Sequence, residues 1–198
     1  MTQARSASTT RKTKETQISV ELRIDGEGNA DVDTSVPFLD HMLQLAAKHG
    51  FFDLKAHARG DTQVDAHHTV EDVGITLGES LNKALGEKKN VARYGTGLVP
   101  MNESLAEVCI DLCGRAHLVY SVDLPRDKVG EFDVELVQEF FRAFATSSAA
   151  TLHITLRYGT NVHHSIEAIF KAFGRALDAA ASLDERVKGV LSTKGTLK

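Results

Sequence analysis

The sequence predicts an α+β fold built from two similar halves. Its 198 residues contain the motif His-His-x-x-Glu twice, at residues 67–71 and 163–167. Each motif opens a predicted helix directly after a predicted strand, and the order strands, helix, strand, motif helix occurs twice. Self-similarity of this kind indicates an internal duplication. Because each half is too thin to bury its sheet alone, we expect the helices of both halves to pack between two sheets.

In the first half, alternation of apolar and polar residues predicts strands and helical spacing predicts helices. A strand at residues 18–24 and a short run around Val32 are separated by glycines, which indicates a hairpin. Pro37 suits the first turn of a helix that Gly50 ends. The predicted helices of this half are residues 36–50 and 67–85, and the remaining predicted strand is residues 52–59.

The second half repeats this order from Tyr94 onward. Its predicted strands are residues 94–100, 104–112, 117–124 and 151–156. Its predicted helices are residues 134–145 and the second motif helix, whose apolar stripe runs from Ile166 to Leu177. Cys109 and Cys113 lie four positions apart in one strand, or about 13 Å. That separation is too long for a disulfide, so we expect two core thiols in a reducing compartment.

Composition and charge narrow the class of protein. A net charge of −4 and a pI near 6.1 provide no basic field for nucleic acid, and no apolar run approaches the roughly 18 residues of a membrane span. Residues 1–14 are basic and lack an apolar stretch, which predicts a disordered tail rather than a secretory signal. We therefore expect a cytoplasmic protein with a first half-domain at 15–92 and a second at 93–198, and with no nucleic-acid or membrane partner.

The spacing within each motif is that of a metal site. On a helix the Glu lies four residues after the first His and three after the second, so its carboxylate can share a face with either imidazole. Adjacent His residues point about 100° apart, which favours two ions over one. A single His is more often a surface or core residue, but the repetition of imidazole plus carboxylate predicts two related transition-metal sites.

Together with Pro37-Phe38-Leu39-Asp40-His41-Met42-Leu43 and Glu167-Ala168-Ile169-Phe170-Lys171-Ala172-Phe173, the doubled motif resembles the imidazoleglycerol-phosphate dehydratases of histidine biosynthesis. The resemblance extends from Glu15 to Gly195. It implies half-domains that each contain a mixed four-stranded sheet and two helices, as in ribosomal protein S5 domain 2. It also implies an octahedral shell of 24 identical subunits with two manganese ions per chain and substrate bound between subunits.

The activity implied by the resemblance is that of a hydro-lyase, which converts D-erythro-imidazole glycerol phosphate to imidazole acetol phosphate and water. The hydrogen to be removed lies on a carbon with no adjacent carbonyl, so a base alone faces a very weak acid. Manganese on both ring nitrogens would favour an imidazolate whose electrons expel the hydroxyl. Glu15 matches the position of the base, although on sequence alone it is an ordinary surface charge. Glu71 and Glu167 are further catalytic candidates.

The resemblance also implies which side chains hold the metals. One ion would be held by His41, His68, Glu71 and His163, and the other by His67, His164, Glu167 and residue 139. Many members of the family have His at this last position, whereas this chain has Glu139. A carboxylate suits manganese, and a solvated helix glutamate is the alternative.

Cations are needed for the phosphate, and arginine suits its planar oxygens. The full set of substrate-binding positions implied by the resemblance is Glu15, His41, His49, His67, Glu71, Arg93, Arg115, His163, Lys171, Thr193, Lys194 and Gly195. We interpret His57, His117 and His153 as structural. The alternatives are a non-catalytic metal-buffering or metal-organised shell protein, and a two-metal hydrolase with ions about 3.5–4 Å apart.

Overall fold

The structure is a computed structural model and describes residues 5–197. Its first sheet has the strand order β1-β2-β4-β3. β2 lies antiparallel between β1 and β4, and β3 pairs in parallel with β4. The bounds of these strands are β1 Ser6–Lys12, β2 Thr16–Arg23, β3 Ala30–Asp33 and β4 Asp53–Gly60.

The second sheet repeats this topology with the order β5-β6-β10-β7. Its last pair, β10 and β7, is again parallel, and the other pairs are antiparallel. A separate two-stranded hairpin, β8 and β9, precedes the third helix. The bounds are β5 Tyr94–Met101, β6 Ser104–Asp111, β7 His117–Ser121, β8 Lys128–Val129, β9 Phe132–Asp133 and β10 Thr151–Tyr158.

Four helices lie between the two sheets, as the sequence predicts. α1 and α2 pack on the first sheet and α3 and α4 on the second, while α1 contacts α4 and α2 contacts α3. The bounds are α1 Pro37–Gly50, α2 His67–Leu85, α3 Leu136–Ser148 and α4 Val162–Ala181. Buried aromatic rings on α3 and α4 form the centre, with Phe141 and Phe170 centroids 4.9 Å apart. The α+β fold of duplicated halves is therefore confirmed.

Glycines allow α4 to approach its sheet closely. A Cβ atom on Gly95 would lie 2.0 Å from the carbonyl oxygen of Ala176, and one on Gly97 would lie 2.1 Å from that of Ala172. Only glycine fits where a strand backbone and a helix backbone come this close. The start of α4, and with it the second motif, is thereby fixed relative to β5.

The predicted disordered tail is wrong for residues 6–12, which form β1. Thr9 of this strand is 5% exposed, and β1 pairs with β2 along its whole length. The tail lacks an apolar alternation because β1 is an edge strand with a polar outer face, and such strands commonly carry charged residues. Residues 1–4 of the predicted tail lie outside the described part of the chain.

The predicted hairpin around Val32 is also wrong. β2 has β1 on one side and β4 on the other, so neither edge is free for β3. β3 instead pairs with β4 after the chain has crossed over through α1. Cys109 lies on β6, whereas Cys113 lies beyond the end of that strand, and both are free thiols. Among residues 5–197, none of the helices has the length and apolarity needed to cross a membrane.

Candidate active site

Local capping places each His pair in the first turn of its helix. The Asp65 carboxylate accepts a hydrogen bond from the backbone N–H of His67 at 2.8 Å, and the Asn161 side chain accepts one from that of His164 at 3.1 Å. Such acceptors satisfy N–H groups that have no partner within the helix. The rings of His67 and His68 are nearly perpendicular, with centroids 6.2 Å apart. Each pair therefore presents its nitrogens in two directions.

The first group of potential ligands combines two helices from different halves. His41 on α1 lies beside His163 and Glu167 on α4, and one potential ligand atom of each lies within 4.8 Å of the others. His163 Nε2 is 3.4 Å from Glu167 Oε2. The Phe38 ring packs edge-on against the His163 ring at 5.3 Å. The packing of α1 on α4 thus creates a set of imidazole and carboxylate donors that suits a transition metal.

A lysine holds the other oxygen of this carboxylate. Lys171 Nζ donates to Glu167 Oε1 at 2.6 Å, and both side chains are largely buried. Burial raises the pKa of the Glu167 carboxyl, but the hydrogen bond and charge of Lys171 outweigh it, so the net pKa is lowered. Burial, followed by the charges of Lys171 and Arg175, lowers the pKa of His49. Glu167 is therefore held as a carboxylate, ready to accept a cation.

The second group lies at the start of α2. Glu15, Asp61 and His68 also have one potential ligand atom each within 4.8 Å of the others. His68 Nδ1 is 3.1 Å from Asp61 Oδ2 and 3.9 Å from Glu15 Oε2. The Asp61 hydrogen bond, with help from the charge of Glu15, raises the pKa of His68. The predicted base thus lies at the first motif, although Glu15 and His68 are 53 positions apart in the sequence.

The turn that carries Glu15 is anchored to the motif helix by Asp72. This residue follows Glu71 on α2 and is 6% exposed. Arg11 Nε on β1 donates to Asp72 Oδ1 at 2.7 Å, and the Thr16 hydroxyl of β2 donates to Oδ2. Glu15 itself is 56% exposed, so its carboxylate has room to contact a ligand.

The second His of the second motif also has a carboxylate partner. His164 Nδ1 lies 2.9 Å from Oε2 of Glu103, which occupies the turn between β5 and β6. The hydrogen bond from His164 is the main reason that the pKa of Glu103 falls to about 2. A carboxylate can only accept, so Nδ1 of His164 is the donor in this contact and Nε2 is the ring nitrogen that faces away from Glu103.

The grouping within one chain differs from the assignment of ligands implied by the resemblance. That assignment gives His163 and Glu167 to different ions, whereas here they belong to one group with His41. Neither group of three found among residues 5–197 contains His67, Glu71, Glu139 or His164. Glu139 instead forms an ion pair with Arg142 at 2.9 Å on the same helix.

The cations predicted to bind phosphate lie around a cavity that shares no residue with the two groups of potential metal ligands. Three of the predicted substrate-binding cations, Arg93, Arg115 and Lys194, line one cavity of about 1130 Å³ together with Thr193. Gly195 lines the neighbouring cavity together with Lys88 and Lys89. Asp111 holds the Arg93 guanidinium with two hydrogen bonds of 2.7 and 3.0 Å. These three cations thus lie around one opening beside the C-terminal segment, whereas His49 and Lys171 do not line it.

The His residues that we interpreted as structural lie on the strands. His57 pairs with Asp31 at 3.2 Å, and His117 and His153 are exposed. Sequence reasoning missed Asp61, Asp72 and Glu103. Asp61 follows Gly60 and Glu103 follows Asn102, so both stand at turn-like positions that carry no periodic signal. Only their proximity to the duplicated motif in the fold distinguishes them from solvated acids.

The family model described as imidazoleglycerol-phosphate dehydratase matches residues 34–177. Enzymes of that name from Citrifermentans bemidjiense and Geobacter sulfurreducens are 59% and 57% identical to this chain over 194 residues, which are 98% of this chain and 100% of each relative.

Solved structures agree with this result. The imidazoleglycerol-phosphate dehydratase of Staphylococcus aureus has a TM-score of 0.81 at 42% identity over 90% of this chain and 99% of its own. The enzyme from Pyrococcus furiosus, solved in complex with (S)-C348, has a TM-score of 0.82 at 38% identity over 96% of this chain and 100% of its own. The chain therefore belongs to the imidazoleglycerol-phosphate dehydratase family, the hydro-lyases of histidine biosynthesis.

Proposed function

We propose that this chain acts in the cytoplasm to convert D-erythro-imidazole glycerol phosphate to imidazole acetol phosphate and water, with two manganese ions per chain. One observation supports the metal sites most directly: His41, His163 and Glu167 present their ligand atoms within 4.8 Å of one another. Family membership favours this activity over the alternatives of a metal-buffering shell and a two-metal hydrolase.

The donors fit manganese. Imidazole nitrogen and carboxylate oxygen are both ligands that this ion accepts, and Glu167 is 8% exposed and already ionised beside Lys171. The remaining ligands are proposed to be His67, His68, Glu71, Glu139 and His164. When bound at the ring of the substrate, manganese would supply an electron sink for loss of the hydroxyl.

Glu15 is the proposed base for the carbon-bound hydrogen. Its carboxylate lies beside His68 but is not tied to it, because Asp61 lies nearer to the same Nδ1 atom. A base must come within hydrogen-bond reach of the proton that it removes, and an exposed carboxylate on a firmly anchored turn satisfies that need. Glu71 and Glu167 are the other acids of the motifs and would serve mainly as ligands.

The phosphate is proposed to bind at the cationic cavity near the C-terminus. Arg115 and Lys194 have no carboxylate partner among the ion pairs found in residues 5–197, whereas Arg93 is oriented by Asp111. Two charged donors free to bind an anion, beside an arginine of fixed orientation, suit bidentate recognition of phosphate. His49, Lys171, Thr193 and Gly195 complete the proposed substrate contacts.

The incomplete ligand groups support an oligomer. A single chain gathers three donors at each of two places, while other predicted ligands lie outside both groups. Metal sites completed by a neighbouring copy would account for this. We propose a homo-oligomer, an octahedral shell of 24 chains, in which the metals and the substrate lie between subunits.

The experiment is a direct assay with purified full-length chain, manganese and D-erythro-imidazole glycerol phosphate. Imidazole acetol phosphate should form, and formation should stop on chelation and return on addition of manganese. The His153→Ala variant is a matched control, since His153 is an exposed strand residue outside both motifs. Absence of product in the manganese-loaded chain would contradict the proposal.

A further inference from the structure

The duplication gives Glu15 a counterpart in the second half. β1 and β2 correspond to β5 and β6 in the two matching sheets. Glu15 is the last residue before β2, and Glu103 is the last residue before β6. Each carboxylate points at the second His of the motif in its own half, namely His68 and His164.

Contacts behind the motifs confirm this correspondence. The strand before each motif ends at or next to a glycine, Gly60 in one half and Gly159 in the other. A Cβ atom on Gly60 would lie 2.2 Å from Thr69 Oγ1, and one on Gly159 would lie 2.4 Å from Ser165 Oγ. Thr69 and Ser165 are the residues that follow the two His pairs. The two motif helices therefore make matching contacts with the glycine at the end of the preceding strand.

The two carboxylates differ in how firmly they are held. Glu103 has both oxygens engaged: Oε1 accepts from the backbone N–H of Asn161 at 2.9 Å and from the Ser104 hydroxyl at 3.2 Å, and Oε2 accepts from His164 Nδ1 at 2.9 Å. Glu15 has only the 3.9 Å contact with His68 among its ion pairs. Glu103 is thus held at both of its carboxylate oxygens, whereas the Glu15 carboxylate has only the longer contact with His68 among its ion pairs.

The residue after each glycine explains this difference. In the first half that residue is Asp61, which contacts His68 Nδ1 at 3.1 Å. In the second half it is Thr160, which has no carboxylate. His164 therefore depends on Glu103 for the partner that Asp61 provides to His68, and Glu15 is left free in its own half.

We infer that Glu103 is a positioning residue for His164, and that it performs for the second motif the task that Asp61 performs for the first. By accepting the proton of Nδ1, each carboxylate fixes the ring orientation and leaves Nε2 to bind the metal. Histidine ligands commonly donate their other nitrogen to a carboxylate, and loss of such a partner weakens metal binding by about 10- to 100-fold. This inference rests on the proposed manganese sites.

The test measures manganese affinity rather than turnover. Purified full-length chain is titrated with Mn²⁺, and free Mn²⁺ is followed by electron paramagnetic resonance. Glu103→Ala should weaken one of two sites about 10- to 100-fold, and Asp61→Ala should weaken the other. Glu103→Gln should stay within a few-fold of the unaltered chain, because its amide oxygen can still accept the Nδ1 proton. Glu107→Ala is the control, since Glu107 lies on β6 four residues after Glu103 and pairs with Arg157.

Glu103 also caps the start of α4, so Glu103→Ala has a structural effect besides the loss of positioning. A double-mutant cycle separates these two effects. In a His164→Ala background, Glu103→Ala should cause no further loss of affinity. Equal losses in both backgrounds, or affinity in Glu103→Ala equal to that in Glu107→Ala, would overturn the inference and leave the proposed function standing. Failure of the unaltered chain to bind Mn²⁺ would overturn both.

Discussion

Glu15 Oε2 lies 3.9 Å from His68 Nδ1, although the two residues belong to a turn between strands and to a motif helix. Asp61 lies nearer, at 3.1 Å from the same nitrogen. A carboxylate that faces the first His-His-x-x-Glu motif without a hydrogen bond to it is suited to contact substrate. The candidate base thus comes from outside the duplicated motif.

Glu15→Gln should lower turnover by a factor of about 10² to 10⁴, the usual contribution of a positioned base. The amide keeps the shape of the side chain but cannot take the proton, so binding of manganese should be unchanged. The measurement is kcat at saturating substrate, with Glu21→Gln as the control because Glu21 is an exposed acid on β2. Near-normal kcat in Glu15→Gln would return the role of base to Glu71 or Glu167.

Asp72→Ala should lower the free energy of unfolding by about 2–3 kcal/mol, because it removes the acceptor of hydrogen bonds from Arg11 and Thr16. Chemical denaturation measures this loss. The control is Glu79→Ala on the same helix, whose exposed pair with Lys83 should contribute less than about 1 kcal/mol. Equal stabilities of the two variants would mean that β1 is not anchored through Asp72.

His163→Ala should remove one manganese per chain and nearly all turnover, because His163 joins His41 and Glu167 in one group of donors. His153→Ala should leave both metals and turnover close to those of the unaltered chain. Metal content by elemental analysis and kcat are the measurements. Similar damage from both variants would show that the second motif has no special role.

Chelation should dissociate the proposed assembly into smaller particles, since metal binding contributes free energy to the structure that the ligands form. Size-exclusion chromatography with light scattering before and after treatment with a chelator measures the change. Readdition of Mn²⁺ should restore the large particle. A particle of unchanged mass after complete removal of metal would contradict metal-linked assembly.

The parts of the fold that the sequence predicts are those with strong local periodicity. The apolar stripes of α2 and α4 follow the His pairs directly, so the motifs could be placed at helix starts. β1 was missed because its single buried residue, Thr9, gives no apolar alternation. The pairing of β3 with β4 was missed because it depends on the crossover through α1 rather than on neighbouring residues.

The sequence predicts which residues are potential metal ligands, but it does not predict which of them lie together in the fold. The residue types of the motif identify His163 and Glu167 as donors, yet their proximity to His41 depends on the packing of α1 against α4. Asp61 and Glu103 lie in turns, where acids are usually solvated. Their contacts with His68 and His164 require the folded arrangement of the two sheets.

Anomalous diffraction at the manganese edge, from crystals of the manganese-loaded chain, tests most directly whether the duplicated motif forms two metal sites that serve one dehydration. We predict two ions per chain. Each should be bound by one His from each motif, and one of them also by His41. The two ions should lie farther apart than the roughly 3.5–4 Å of a dinuclear hydrolase. A single ion per chain, or a pair at that dinuclear spacing, would contradict the account.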